Sequence, residues 1–317
     1  MVAPFFIVGS GRSGTTLVRM MLMAGGQVAI PPESNFIPQL IERWPQYADD
    51  VDLIVSTLAP QYEQMEVHPA AVRSLLLDRP LSLESAITAP FEVYADGKRW
   101  GDKSPSYINS ILAISAVFEE AKFVHIIRDG RDVALSYRDQ PFGPKSFLAN
   151  ARRWELRVLH AAMAGCVLGP ERYKEVRYED LLAAPQAELR GLCAFLDLPY
   201  DPSMLDFPQL AHTLTDQEKA IHANLGKPLT KGLRDWRTVM TPKQVEMFDA
   251  MAGGALELFG YPRHRTDEVH LYLARFADTW LQFRDDVLKA LASWQVSRSI
   301  AGRRSVPIEH IWRRVNE

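Results

Sequence analysis

Cysteine is almost missing from this chain: Cys166 and Cys193 are the only two in 317 residues. They form no C-x-x-C or similar spacing, which excludes a cysteine metal site, and each is expected as a buried free thiol in an apolar helical context. Long apolar runs are missing as well. None approaches the ~18 residues of a spanning helix, and the N-terminus has no basic stretch leading into an apolar core and a small-residue cleavage site. A cytoplasmic, reduced protein without a membrane span is the expectation. Charge of one sign is not in excess either. Lys and Arg total 36 against 39 Asp and Glu, a net charge of −3, so nothing draws the whole chain to nucleic acid or an acidic membrane and any anion site has to be local. Repeats and low-complexity segments are absent. The eight histidines are scattered, with no pair at ligand spacing beside a carboxylate, so no metal site is expected.

What is present is an ordinary globular composition, 47% hydrophobic and 24% charged, long enough for one large α/β domain with a small appendage. Phe5 to Val8 and Phe123 to Ile127 are short apolar runs that read as buried strands. Ala29 to Pro32 and Tyr173 to Arg177 are further strand candidates. Helices are expected over Thr15–Ala24, Phe36–Arg43, Ile108–Phe118, from Asp132 to Arg138, over Ser146–Leu168 and again after Tyr178. Strands alternating with helices argue for a three-layer α/β fold, a mostly parallel central sheet flanked by helices. Pro60, Pro69, Pro80 and Pro90 read as breakers between short helices of an insertion at about 45–99. Trp44, Tyr47, Tyr62 and Trp100 belong either to an acceptor-facing surface or to the core. The expected division is residues 1–262 as the main domain and 263–317 as a helical extension serving as lid, packing element or dimer arm.

Between the first strand and its helix lies Gly9-Ser10-Gly11-Arg12-Ser13-Gly14-Thr15-Thr16. Glycines there let successive N–H groups converge on an anion at a helix N-terminus. The frame fits the P-loop pattern G-x-x-x-x-G-K-[ST] except that Thr15 stands in the lysine's place, which argues against nucleoside triphosphate hydrolysis. The loop carries its cation at Arg12 instead. A second basic motif, FVHIIRDGRDVALSYR, puts Arg128 at a strand's end and Ser136 two turns into the next helix. Ligands of open α/β sheets bind at that end of the strands, so both motifs are expected beside one phosphate-bearing ligand. Asp129, Arg131 and Asp132 are expected to bind one another or to cap the helix, and His125 to be a core residue.

Together, FIVGSGRSGTTLVRMML and FVHIIRDGRDVALSYR resemble the 5′-phosphosulfate loop and 3′-phosphate motif of sulfotransferases that use PAPS (3′-phosphoadenosine-5′-phosphosulfate). GDKSPSYI, VRYEDLLAAP and LTKGLRDW are similar to three further segments of that family, and the resemblance spans roughly residues 4 to 262. The tyrosylprotein and the bacterial carbohydrate or small-molecule branches are the most similar. PPESNFIP resembles the tyrosylprotein segment whose glutamate is the base, whereas no Lys-x-His segment of the aryl and steroid enzymes is present. The resemblance implies sulfuryl transfer from PAPS to an acceptor hydroxyl, leaving PAP, with no metal required. It implies that Gly11, Arg12, Ser13, Gly14, Thr15 and Thr16 hold the 5′-phosphosulfate and that Arg128 and Ser136 hold the 3′-phosphate. Lys231 and Gly232 then close over that phosphate, and Tyr178 and Trp236 flank the adenine or pack in the core. Glu33 is the implied base and Lys103 the implied cation at the bridging oxygen, with Arg12 beside them. Two alternatives stand: a P-loop kinase or NTPase with an altered loop, and a PAP-binding module without catalysis. The acceptor stays open among a small molecule, a sugar and tyrosine; a homodimer is possible through the terminal helix.

Overall fold

The computed structural model describes residues 3–48, 50–138, 140, 147–215, 218, 219, 226 and 235–263. Residues 264–317 of the expected extension at 263–317, together with Lys231 and Gly232, lie outside the described residues. Five parallel strands run in the order β2-β3-β1-β4-β5: β1 (Phe5–Gly9), β2 (Val28–Ala29), β3 (Arg99–Lys103), β4 (Lys122–Ile127) and β5 (Tyr173–Arg177). Strand β1 is fully buried, and its side chains alternate between two apolar layers. Phe5 and Ile7 join the layer of α1 (Thr15–Ala24), while Phe6 and Val8 join the layer built by helices from the segment between β2 and β4. That two-sided burial is why the β1 and β4 sequences read as continuous apolar runs.

Five helices lie between β2 and β4: α2 (Ile37–Arg43), α3 (Val51–Gln64), α4 (Pro69–Leu77), α5 (Leu83–Ala95) and α6 (Ile111–Val117). Two expected breakers are corrected here. Pro60 lies inside α3 and Pro90 inside α5, while Pro69 takes the first position of α4, where its missing N–H costs nothing. The insertion also ends in a strand that the apolar pattern did not announce. β3 pairs with β1 through Phe5↔Gly101, Phe6↔Asp102 and Ile7↔Lys103. A Cβ at Gly101 would fall 2.5 Å from the Phe5 ring, so glycine permits that approach. Trp44, Tyr47, Tyr62 and Trp100 are all buried core residues, with Trp100 stacked on Phe91 at 4.5 Å.

Beyond β4 come α7 (Gly130–Arg138), α8 (Phe147–Leu168), α9 (Tyr178–Ala183) and α10 (Pro185–Phe195). The helix Pro242–Leu258 packs with α7 and α8 in a third apolar cluster around Trp154 and Phe248. Cys193 is buried, as expected, but Cys166 is exposed: α8 turns Val158, Ala161 and Ala164 inward and leaves position 166 on its outer face. Among the described residues, no helix is long and apolar enough to cross a membrane.

Candidate active site

Gly9 ends β1, Arg128 follows β4 and Lys103 ends β3, so three adjacent strands deliver them to one edge of the sheet. The loop after β1 turns sharply. Arg12 and Gly14 both have positive φ, 73° and 100°, and Gly14 becomes the N-cap of α1 with no side chain to cap that helix end. A non-glycine residue in the left-handed region is a local strain that such sites tolerate. A Cβ at Gly11 would meet the Tyr137 hydroxyl at 2.1 Å, and one at Gly14 would meet the Tyr178 ring at 2.4 Å. Both glycines therefore serve close approach as well as turning. Thr15 and Thr16 are buried in the first turn of α1.

The two basic motifs meet. Arg12 Nε donates to Ser136 Oγ at 3.0 Å, and Arg128 donates to the Arg12 carbonyl at 3.5 Å. The Arg128 guanidinium also lies 4.6 Å from the centre of the Tyr178 ring. Around this crossing several polar atoms are buried without a partner: Ser10 Oγ, Ser13 Oγ and Arg128 Nε. Desolvated donors left unpaired are costly, about 1–3 kcal/mol each, and acceptor oxygens of an anionic ligand are the kind of partner that such donors take. The residues thus fit a phosphate- or sulfate-bearing substrate. Arg157 on α8 is an addition: its Nη1 would lie 3.9 Å from a Cβ at Gly11.

On the β3 side Lys103 and Glu33 are already paired. Lys103, with no exposed surface, donates to Glu33 Oε1 at 2.8 Å, while the Glu33 side chain is 36% exposed. Behind them runs a buried chain. Ser34 Oγ donates to Asp102 Oδ2 at 2.6 Å and lies 2.7 Å from the Tyr107 hydroxyl, which accepts from the Ile37 N–H at 3.1 Å. Since the Ser34 proton goes to Asp102, Tyr107 is the donor to Ser34. Burial pushes the Asp102 carboxyl up to about 6, against the lowering by Ser34, Ser104 and Lys103. Ser34 and Asp102 are the chain neighbours of Glu33 and Lys103, so this network fixes the pair from behind.

Sequence reasoning named Glu33, Lys103, Arg12, Arg128 and Ser136; it did not name Ser34, Asp102, Tyr107 or Glu218. Glu218 lies 3.7 Å from Lys103 and 2.5 Å from Arg19, and its only local signal is the T-x-x-E spacing from Thr215. Asp129 and Arg131 do bind one another, whereas Asp132 accepts from the distant Trp236 N–H at 2.9 Å. Arg131 pairs with Asp129 through two bonds of 2.9 and 2.8 Å. Trp236 joins them rather than standing open to a ligand: it is buried, donates to Asp129 Oδ2 at 3.0 Å and carries Arg131 at 3.8 Å from its ring centre. Tyr178 is only partly buried. His125 is a core residue hydrogen-bonded to Tyr173 at 2.6 Å.

Comparison with known proteins matches residues 4–202 to the model described as the Sulfotransferase family. The chain is 29% identical over 215 residues to protein-tyrosine sulfotransferase A of Caenorhabditis elegans, covering 66% of this chain and 53% of that protein. It is 24% identical over 257 residues to protein-tyrosine sulfotransferase 1 of Danio rerio, covering 78% and 65% respectively. The chain thus spans between about half and two-thirds of these relatives' length. Among solved structures, the sulfotransferase domain from the curacin biosynthetic pathway superposes with a TM-score of 0.59 at 22% identity, covering 83% of this chain and 99% of that one. The sulfotransferase domain of the Synechococcus PCC 7002 olefin synthase gives 0.55 at 22% identity, over 82% and 95%. These two likenesses establish the fold.

Proposed function

Because the chain belongs to the sulfotransferase family, we propose that it moves a sulfuryl group from PAPS to an acceptor hydroxyl by in-line displacement, with Glu33 as base. The observation that carries this reading is the 2.8 Å Lys103–Glu33 pair beside the glycine-rich loop. A cation to meet charge on the leaving oxygen and a carboxylate to take a proton are the two groups the reaction needs. Transfer of this kind passes through a loose transition state, so catalysis rests on positioning and charge stabilisation. Gly11, Arg12, Ser13, Gly14, Thr15 and Thr16 surround the 5′-phosphosulfate. The unpaired Ser13 Oγ and the strained turn at Arg12 support that role. Arg128 and Ser136 take the 3′-phosphate, which separates PAPS from ATP, and Tyr178 faces the adenine. Lys231 and Gly232 complete the 3′-phosphate site in this reading.

Lys103 carries the charge that builds on the bridging oxygen. Glu33 accepts the acceptor's proton as the oxygen attacks, and its partial exposure leaves it open to that acceptor. The names of the matched relatives make a tyrosine hydroxyl the first acceptor to try. The test is transfer of labelled sulfate from PAPS to a tyrosine peptide, simple phenols and sugars, with wild type, Glu33→Gln and Lys103→Ala in parallel. Label in an acceptor with wild type, lost in both variants, is the expected outcome. PAP binding without transfer to any acceptor would replace this reading with a binding module; magnesium-dependent ATP hydrolysis would replace it with an NTPase.

A further inference from the structure

Lys103 sits between two carboxylates, and the reaction proposed above uses only one of them. Its ammonium is fully buried, 2.8 Å from Glu33 Oε1 and 3.7 Å from Glu218 Oε1. The two carboxylates differ in setting. Glu33 is 36% exposed, whereas the Glu218 side chain is 12% exposed and held at both oxygens. Oε1 takes a 2.5 Å contact from Arg19 Nη1, and Oε2 accepts from the Thr215 N–H at 3.1 Å. The Glu218 N–H donates back to Thr215 Oγ1 at 3.1 Å, which makes a reciprocal capping box. Arg19 is itself fixed: it is buried on α1 and donates to the Ile30 carbonyl at 3.0 Å. One oxygen of Glu218 thus faces two buried cations that come from different elements, α1 and β3.

We propose that Glu218 is a positioning residue for sulfuryl transfer: anchored by Arg19 and Thr215, it holds the Lys103 ammonium in place while Glu33 leaves that ion pair to take the acceptor's proton. The inference rests on the sulfuryl-transfer reading and adds to it the charge balance of the step. When Glu33 is protonated it no longer neutralises Lys103, whose buried ammonium must then be held in place by other negative charge as it meets the leaving oxygen. Glu218 keeps a carboxylate beside Lys103 throughout. The bonds are simple: the acceptor O–H proton passes to Glu33, the acceptor oxygen bonds to sulfur, and the sulfur–oxygen bond to the phosphate breaks. Glu218 gains and loses no proton. Were Glu218 only the counter-ion of Arg19, its removal would lower stability and leave the turnover of folded enzyme intact.

Steady-state kinetics on Glu218→Gln and Glu218→Asp separate these roles, using PAPS and the phenolic acceptor that wild type turns over, with PAP binding and thermal stability measured on the same samples. The Gln variant is expected to lose about 10-fold or more in kcat with the KM for PAPS and the Kd for PAP held within about 3-fold, and the Asp variant to recover most of kcat. An unchanged kcat per folded molecule in Glu218→Gln, with only the melting temperature lowered, overturns the proposal. Should Glu218→Gln fail to fold, Thr215→Ala removes the hydroxyl that accepts from the Glu218 N–H and so loosens the cap around Glu218 without removing a charge. A fall in kcat of about 2- to 5-fold is then expected, and an unchanged kcat counts against the proposal. If wild type itself transfers no sulfate from PAPS, the reading beneath the inference falls; if wild type transfers and both Glu218→Gln and Thr215→Ala match it, only the inference does.

Discussion

Two regions meet at the same edge of the sheet and are finished to different degrees. On the β1–β4 side, at the glycine-rich loop, Ser10, Ser13 and Arg128 keep buried polar atoms without partners, and Arg12 holds a left-handed backbone. On the β3 side Lys103 already has Glu33, while Ser34, Tyr107 and Asp102 form a continuous buried chain. The difference is the one that the proposed roles of the two regions require. A donor-binding surface keeps unsatisfied N–H and O–H groups because its ligand supplies the acceptors. A group that must act on a transferring atom is better fixed in advance, since positional error is expensive in rate. The loop side is therefore strained and left with unpaired groups, while on the β3 side the Lys103–Glu33 pair is fixed in advance and Asp102 Oδ1 alone of its buried chain lacks a partner among the described residues.

Changes on the β3 side should strike turnover and spare binding, with Lys103→Ala the most severe. Removing a single group that stabilises developing charge costs about 10²–10³ in kcat in comparable sites, and steady-state assay with PAPS checks it. Glu33→Gln should follow with a loss of about 10²-fold or more, a proton acceptor being worth that much. A loss confined to the KM for PAPS in either variant would erase the contrast between the regions. On the loop side Gly14→Ala adds a Cβ 2.4 Å from the Tyr178 ring at a φ of 100°. About 1–3 kcal/mol of strain is expected there, read as a lower melting temperature together with weaker PAP binding.

The smallest effect concerns the buried carboxyl behind the pair. Burial pushes Asp102 up to about 6, so the folded chain holds this proton more tightly than the unfolded one. Its contribution to stability is greatest below about pH 4 and declines as pH rises through the window to about 6. Asp102→Asn removes that decline. The stability of the variant relative to wild type should climb across this window by roughly 2–3 kcal/mol at most and then level off. Melting curves between pH 4 and 7 test it. Asp132, which burial also pushes up to about 6, titrates in both proteins and cancels from the difference.

The same contrast explains what could be read in the sequence. The glycine-rich loop and FVHIIRDGRD were legible because turn glycines, a fully buried apolar strand and a cation at its end are local patterns. β3 was not legible, since Arg99–Lys103 carries Asp102 and Lys103 where a strand covered on both faces usually has apolar residues. Those two residues are buried because the Ser34–Asp102 and Lys103–Glu33 contacts receive them, and their partners lie about 70 positions away. Pro60 and Pro90 misled in the opposite direction, since tertiary packing carries α3 and α5 past them. Glu218 showed only its cap; the Arg19 contact that gives it a place in the site spans 199 positions. Short-range chemistry announces the binding half; Glu33 and Lys103 are legible only through resemblance, and the Ser34, Asp102, Tyr107 and Glu218 contacts around them exist only once the chain is folded.

The division between a binding half left with unpaired groups and a chemical half fixed in advance is tested most directly by calorimetric titration of PAP into wild type, Arg128→Ala and Glu33→Gln. Loss of a charge-assisted bond of about 1.5–3 kcal/mol should weaken PAP binding by Arg128→Ala about 10- to 100-fold, with Glu33→Gln within about 3-fold of wild type. Full affinity in Arg128→Ala, or collapse of PAP binding in Glu33→Gln, would contradict the account.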